Sequence, residues 1–221
     1  MIDRGISFNG IHSYYDLDLI LSKVEIPPAI PKTNYIDIPG GDGSLDLTEA
    51  HGEVKYEDRE CQFMFTMNPA GDLSDSAFEA KKTEVSNVLN GVLFDRITLD
   101  KDSDHYYTGR CAVSEYLSNK RLRQFVVSAI VKPYKKKQSK TVATFTLTAA
   151  EQTVVLLNGR KSVVPEITCT DDNTKIVFGE GEFMLNAGTH KILNICFTER
   201  KNILKLSGSG TIKFVYQESE L

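Results

Sequence analysis

The stretch Thr141–Leu185, TVATFTLTAAEQTVVLLNGRKSVVPEITCTDDNTKIVFGEGEFML, decides the fold class. Its apolar residues come in short runs rich in β-branched and aromatic side chains. Turn signals such as Asn158-Gly159 and Asp171-Asp172-Asn173 separate these runs. Short runs of this kind at regular spacing are typical of a β-sandwich, here a jelly-roll-like one without helices. The strands we predict are Thr141–Leu147, Thr153–Leu157, Val163–Thr170, Thr174–Gly179, Glu182–Leu185, His190–Phe197, Asn202–Leu206 and Thr211–Gln217.

The residues before this stretch combine strands with one helix. Asp75–Leu89 has helical apolar spacing, a cap at Ser74 or Asp75, and a stop signal at Asn90-Gly91. The apolar face of this helix holds Phe78, Val85, Val88 and Leu89. The predicted strands are Gly5–Ile11 with a tight turn at Asn9-Gly10, Tyr14–Val24, Tyr35–Ile38, Glu60–Met67, Val92–Leu99, Tyr106–Glu115 and Arg123–Val131. Because Arg123–Val131 is almost continuously apolar, we expect it inside a sheet.

A lysine-rich segment separates the two halves. Lys132–Lys140 holds five lysines, one proline and no apolar period, which is typical of a solvated linker. We therefore predict a first domain at residues 1–131, a linker at 132–140 and a sandwich at 141–221. A nucleic-acid patch is the alternative interpretation of the lysines.

Charge and composition exclude several classes of protein. The 221 residues carry 26 Lys and Arg against 30 Asp and Glu, a net charge of −4. Residues 1–131 hold 13 basic against 21 acidic residues, a net −8, which disfavours binding to DNA phosphates. No apolar run is long enough for a membrane span, and the first residues lack a secretory signal. The four cysteines are far apart and never form CxxC, so we expect buried free thiols in a reducing cytoplasm.

No motif nominates an enzyme, and we expect no metal and no cofactor. Asp100–Cys111 imitates a calcium loop, but His105 and Cys111 stand where the geometry requires Gly and Glu. The scattered histidines lie near no recognisable nucleophile, and no GxSxG or phosphate-binding glycine loop occurs. These histidines are His12, His51, His105 and His190.

Several segments resemble the distal tail proteins of phages with long, non-contractile tails. Gly5–Gly10 (GISFNG) is similar to the start of that family. Tyr35–Thr48 (YIDIPGGDGSLDLT) follows its pattern of apolar-Asp-apolar-Pro with Gly, then Asp-Gly and an acidic-apolar pair. Asn158–Arg160, Val164–Ile167 and Leu206–Tyr216 match later pieces in the same order, so the resemblance covers nearly the whole chain.

The resemblance implies a mainly β structural protein of the virion, made in the bacterial host cytoplasm. Its first domain would be tail-tube-like with one helix, and its second a sandwich similar to galectins and carbohydrate-binding modules. Six copies would form a ring at the tail tip. The expected partners are the tail-tube protein, the tail hub or tail-associated protein, and a receptor-binding protein. DNA would pass through the ring, and we expect Asp and Glu of residues 1–131 to face this channel, because basic walls would bind phosphates.

Residues 38–59 have no clear core face and more acids than bases. A segment that cannot bury itself often packs on a neighbour, and the resembled family has a belt-like arm here. We expect the segment to wrap an adjacent subunit, the alternative being a disordered surface loop. The candidate interface residues are Tyr35, Asp37, Pro39, Gly40, Asp42, Gly43, Leu45 and Leu47.

Two other functions stay open at this point. The chain could be a tail-tube or other baseplate component, although a tube protein alone would not need a second sandwich domain. It could also be a carbohydrate-binding module that contacts the host wall. Such modules stack aromatic rings on sugars, but this chain has no Trp. Most aromatic residues of the second half are expected in its core: Phe145, Phe178, Phe183, Phe197, Phe214 and Tyr216.

Overall fold

The computed structural model of the chain describes residues 5–50, 52–119 and 122–221. It divides into two compact units, Met1–Lys135 and Lys136–Leu221. The described residues are mainly antiparallel strands with one α-helix, which confirms the predicted fold class.

The first unit is built on one twisted sheet. Its strands run in the order β2-β1-β7-β8-β9-β6-β3, and every neighbouring pair is antiparallel. The hairpin β4–β5 lies outside this sheet. The elements in chain order are β1 (Ile6–Phe8), β2 (Ile11–His12), β3 (Leu19–Glu25), β4 (Tyr35–Asp37), β5 (Ser44–Asp46), β6 (Arg59–Met67), α1 (Asp75–Leu89), β7 (Leu93–Leu99), a 3-10 turn (Asp100–Asp102), β8 (His105–Ser118) and β9 (Arg123–Val131).

Helix α1 covers one face of this sheet. It begins at the predicted cap, where the amide of Ala77 donates to Ser74 Oγ at 3.2 Å. Val85 and Leu89 are fully buried, and the ring of Phe78 meets that of Phe125 edge-on at 5.4 Å. The inward residues of the strands form the same core, while alternate residues such as Gln62 face away from the helix.

The second predicted strand begins later than the sequence indicates. Tyr14 to Leu17 form turns, and β3 begins only at Leu19. The amide of His12 donates to Asp16 Oδ2 at 2.6 Å, and Asp18 adopts a left-handed φ of 52°. Aspartate side chains stabilise such turns in competition with strand pairing, and the apolar alternation did not show this.

The second unit is a sandwich of two four-stranded sheets, as predicted. One sheet has the order β11-β18-β13-β16 and the other β12-β17-β14-β15. Their inward side chains share one core, in which Phe197, Phe214 and Ile176 are fully buried. The strands, preceded by β10 (Lys135–Lys137), are β11 (Thr141–Thr146), β12 (Gln152–Asn158), β13 (Glu166–Cys169), β14 (Thr174–Phe178), β15 (Gly181–Leu185), β16 (Gly188–His190), β17 (Arg200–Ser207), β18 (Thr211–Tyr216) and β19 (Ser219–Glu220).

Two predicted strands of the sandwich are wrong in extent. The strand expected at Val163–Thr170 begins after Pro165, which has no amide proton for the ladder. The strand expected at His190–Phe197 ends at His190. Beyond it the amide of Ile195 donates to the carbonyl of Ile192, and both side chains pack on the core. Burial at a spacing of three residues is incompatible with the two-residue period of a strand.

The lysine segment is more structured than a linker. The unit boundary falls within β10, and Lys137 Nζ lies 3.0 Å from Glu218 Oε1. Lys135 Nζ lies 2.8 Å from Asp102 Oδ2, and His105 Nδ1 lies 2.7 Å from Asp102 Oδ1. Partial burial raises the pKa of Asp102, but the hydrogen bonds with Lys135 and His105 outweigh it and lower the pKa.

We predict that Ser74→Ala lowers the free energy of unfolding by about 1 kcal/mol, because the amide of Ala77 loses its side-chain acceptor. The control is Thr83→Ala on the exposed side of the same helix, which should be neutral or slightly stabilising. Urea denaturation followed by circular dichroism measures both variants. Equal effects would contradict the assigned cap.

Candidate subunit interface

The chain leaves the sheet after β3 and returns to it at β6. Between them Ile30–Glu57 doubles back on itself, and we call this range the arm. The amide of Glu57 donates to the carbonyl of Ile30 at 2.9 Å, and the amide of Lys32 to that of Lys55 at 2.8 Å. Further out, β4 and β5 pair as an antiparallel hairpin. The arm is therefore an ordered two-stranded projection in its described part.

The base of the arm is fastened to the first unit. The rings of Tyr56 and Tyr134 meet edge-on at 5.7 Å, and Lys132 Nζ lies 3.0 Å from Asp58 Oδ2. Arg59 is buried, and its Nη1 donates to the carbonyl of Pro27 at 3.4 Å. These contacts fix the base of the arm where the chain joins the sheet.

Register gives the hairpin two unlike faces. Ile36 pairs with Leu45, and strand alternation places Ile38 and Leu47 on the same apolar face. The opposite face is polar and consists of Tyr35, Asp37, Ser44 and Asp46. We call the first set the apolar face of the arm.

The apolar face of the arm is largely uncovered. Ile36 is 48% exposed, Ile38 53% and Leu45 49%, whereas the inward residues of the main sheet are almost fully buried. These contiguous exposed aliphatic side chains make the hairpin a candidate interaction surface.

The polar face stays charged and ordered. Ser44 Oγ donates to Asp37 Oδ1 at 2.6 Å, and the amide of Thr48 donates to Asp46 Oδ1 at 2.9 Å. Hydrogen bonds from the side chain and amide of Thr48 lower the pKa of Asp46. Thr48 Oγ1 also accepts from the amide of Asn34, which ties the two strands together. The acids therefore keep one side of the arm in water.

All the predicted interface residues fall on this hairpin or directly beside it. Tyr35 and Asp37 lie in β4, Leu45 lies in β5, and Leu47 follows it. The turn between the strands holds the remaining four, of which Gly40 and Gly43 adopt positive φ angles of 79° and 75°: Pro39, Gly40, Asp42 and Gly43. The prediction omitted Ile36 and Ile38, although their alternation with Asp37 was a signal for the apolar face.

The other candidate sites are occupied by structural contacts. His12 Nδ1 accepts from the amide of Tyr14 at 3.1 Å, and its Nε2 lies 3.1 Å from Asp100 Oδ1. The pseudo-calcium segment begins as a 3-10 turn, and His190 Nε2 donates to the carbonyl of Asn186. His51 lies outside the described residues. Within the described ranges no group of three or more His, Cys, Asp or Glu could hold a metal ion.

Three of the cysteines are buried, as expected. Burial raises the pKa of Cys61 to about 11 and that of Cys111 to about 12, so both are protonated thiols at neutral pH. Cys169 is also buried, and Cys196 is half-buried. No helix in the described part of the chain is long and apolar enough to cross a membrane.

The sandwich offers no exposed aromatic platform. All its residues are described, and its aromatic side chains are either buried or packed against the core. Phe197 and Phe214 are fully buried, and the hydroxyl of Tyr216 donates inward to the carbonyl of Leu157 at 2.5 Å. Stacking on a sugar ring needs an exposed ring, so this arrangement weakens the carbohydrate-binding alternative.

Comparison with known proteins shows the fold. No family model and no curated protein matches the chain. A solved structure does: the crystal structure of the Dit protein (gp 19.1) of phage SPP1, described as a paradigm of the hub adsorption apparatus in phages that infect Gram-positive bacteria. The TM-score is 0.69 and the sequence identity 14%, over 96% of this chain and 98% of that chain. The chain therefore has the fold of a Dit protein along almost its whole length.

Proposed function

We propose that the chain is a distal tail protein that forms a hexameric ring at the tip of a long, non-contractile phage tail. The observation that carries this proposal is the uncovered apolar face of the arm, on a chain with a Dit-like fold. The ring would join the tail tube to the tail hub and would support peripheral receptor-binding parts. The protein would act in the virion after synthesis in the host cytoplasm.

The arm supplies the contact between neighbouring subunits. Ile36, Ile38, Leu45 and Leu47 cannot be buried by their own hairpin, because two strands alone have no core. Burying the exposed part of each on a neighbour contributes about 1 kcal/mol. An arm that reaches a different surface of the next copy makes a head-to-tail contact, and such contacts close into rings when the rotation permits.

The open face of the first sheet, opposite α1, is suited to line the channel. Its side chains between β6 and β9 are mostly uncharged. Met64, Val126 and Ile130 are apolar, and Gln124 Nε2 donates to Thr66 Oγ1 at 3.2 Å beside Gln62 and Ser128. On the paired strands this face carries three acids, Glu25, Glu60 and Glu115, against two bases, Lys23 and Arg110. A neutral to acidic wall would let DNA pass without binding its phosphates.

The first test is the mass in solution, measured by light scattering over a concentration series, alone and with the tail-tube protein. We expect a species near six times 24.7 kDa, seen as a ring with a central hole by electron microscopy. A chain that stays monomeric under both conditions contradicts the proposal.

The arm is tested by Ile36→Ser combined with Leu45→Ser. We expect rings to be lost while the thermal unfolding of the monomer changes little, because both side chains are already exposed. The matched control removes two exposed aliphatic side chains elsewhere, Val142→Ser and Leu193→Ser, and should keep the ring. Rings that persist without the apolar face would refute this role of the arm.

A deletion tests the same contact more severely. Removing residues 41–54 takes away β5 and most of the turn of the hairpin but leaves β4, the base of the arm and the main sheet. We expect a folded monomer that forms no ring, judged by circular dichroism and light scattering. Hexamers formed by this variant would place the subunit contact elsewhere.

The channel is tested by charge reversal on the open sheet face. Phages that carry Glu60→Lys and Glu115→Lys should eject DNA more slowly, because lysines on the wall attract phosphates. Glu166→Lys with Glu180→Lys on the sandwich is the control for the same change in net charge. Ejection at the normal rate, followed by release of a DNA-bound dye, would show that this face does not line the channel.

A further inference from the structure

The outer face of the sheet β12-β17-β14-β15 carries a second uncovered apolar surface. Strand register places Val155 opposite Ile203, and Leu157 and Val177 lie one step away on either side. Met184 lies diagonally beside Val177. These five side chains form a diagonal across all four strands, which we call the stripe. From strand spacing and rise, the stripe is roughly 25 Å long.

Three of the five side chains in the stripe are more than half exposed. Leu157 is 59% exposed, Ile203 57% and Met184 58%. The corresponding face of the other sheet is built differently, with Thr144, Lys213 and Thr168 side by side and the hydroxyls of Thr168 and Thr189 3.1 Å apart. On that face Val142 is 55% exposed and pairs with Val215, so exposed aliphatic side chains occur on both faces but are concentrated along the stripe. The face that carries the stripe is therefore suited to contact with another protein.

Positive charge accompanies the stripe. Lys201 lies opposite Leu157, Lys205 opposite Val177, and Lys175 opposite Met184. Glu182 is the acid on this face, and it pairs with Lys175 at 2.9 Å. Lys205 pairs with Glu151 at its rim, whereas Lys201 makes no ion pair with the described residues. In a chain of net charge −4, this face is locally basic.

We propose that the stripe docks an acidic segment of a different tail polypeptide, with apolar side chains along the stripe and carboxylates against Lys201 and Lys205. This inference rests on the proposed function, since it requires the chain to be part of a tail. Charge complementarity selects an acidic partner. The lack of aromatic rings on this face disfavours a glycan, because sugar recognition depends on stacking. A segment in helical form would need about 17 residues to follow the stripe.

The test compares the isolated full-length chain with purified tails by chemical labelling and mass spectrometry. Acetylation of Lys201 and Lys205 and peroxide oxidation of Met184 should be about tenfold slower in tails, because the core of an interface excludes water. Lys213 on the opposite sheet is the control and should keep its reactivity. Carbodiimide treatment should join Lys201 or Lys205 to a carboxylate of another tail protein.

Four results would overturn the inference. The stripe could remain as reactive in tails as in the isolated chain, or its lysines could cross-link only to acids of a second copy. Added host wall polysaccharide could protect the stripe of the isolated chain, which would make it a glycan surface. If the chain is missing from purified tails, the proposed function itself fails, whereas an unprotected stripe in tails that contain the chain refutes only the docking site.

A variant gives the independent test. Ile203→Lys introduces a charge into the middle of the stripe and should remove the cross-linked partner from tails while the ring remains. Thr144→Lys at an exposed position of the opposite sheet is the matched control and should retain the partner. Full retention of the partner by Ile203→Lys would contradict the docking site.

Discussion

The contact between Phe78 of α1 and Phe125 of β9 organises the first unit, because it fixes which face of the sheet the helix covers. Phe125 is fully buried, and the alternation of β6 and β9 then directs Gln62, Thr66 and Ser128 to the other face. With one face closed by the helix and the other open, the sheet can serve as a wall. The arm leaves from its β3 edge and remains outside this core.

Strand alternation gives both β6 and the hairpin β4–β5 an apolar face, but only the face of β6 is buried. In β6 the inward residues pack against a helix, whereas the apolar residues of β4–β5 remain about half exposed. Hydrogen bonds from Thr48 and Ser44 keep the hairpin formed although it has no core of its own. An ordered hairpin with an uncovered face loses little conformational entropy on docking, because its backbone is already in place. For docking, an ordered hairpin backbone in the free chain is therefore as important as the exposure of its apolar side chains.

Elements that are marked by several independent sequence signals could be predicted from sequence. Asp75–Leu89 has a cap, a helical period and a stop signal, and its bounds agree with the structure. Tyr14–Val24 failed because Asp16 and Asp18 form turns through their side chains and backbone, which an apolar pattern does not show. The arm was placed by its composition, but Ile36 and Ile38 were missed. Their alternation with Asp37 places them on one side of a strand, but showing that Leu45 and Leu47 complete the same face requires strand register, which depends on pairing with a second strand.

The two uncovered surfaces differ in how they would recognise a partner. Asp37 and Asp46 of the hairpin lie on the face opposite Ile36 and Leu45, so the apolar face of the arm would bind by burial and shape, with little selection by charge. On the sandwich, Lys201 and Lys205 stand on the same face as Ile203, so a partner must match charge and apolar contact together. Contact among identical subunits needs no discrimination beyond geometry, whereas choosing one tail protein among several does. The placement of charge thus suits the arm to self-assembly and the stripe to a foreign partner.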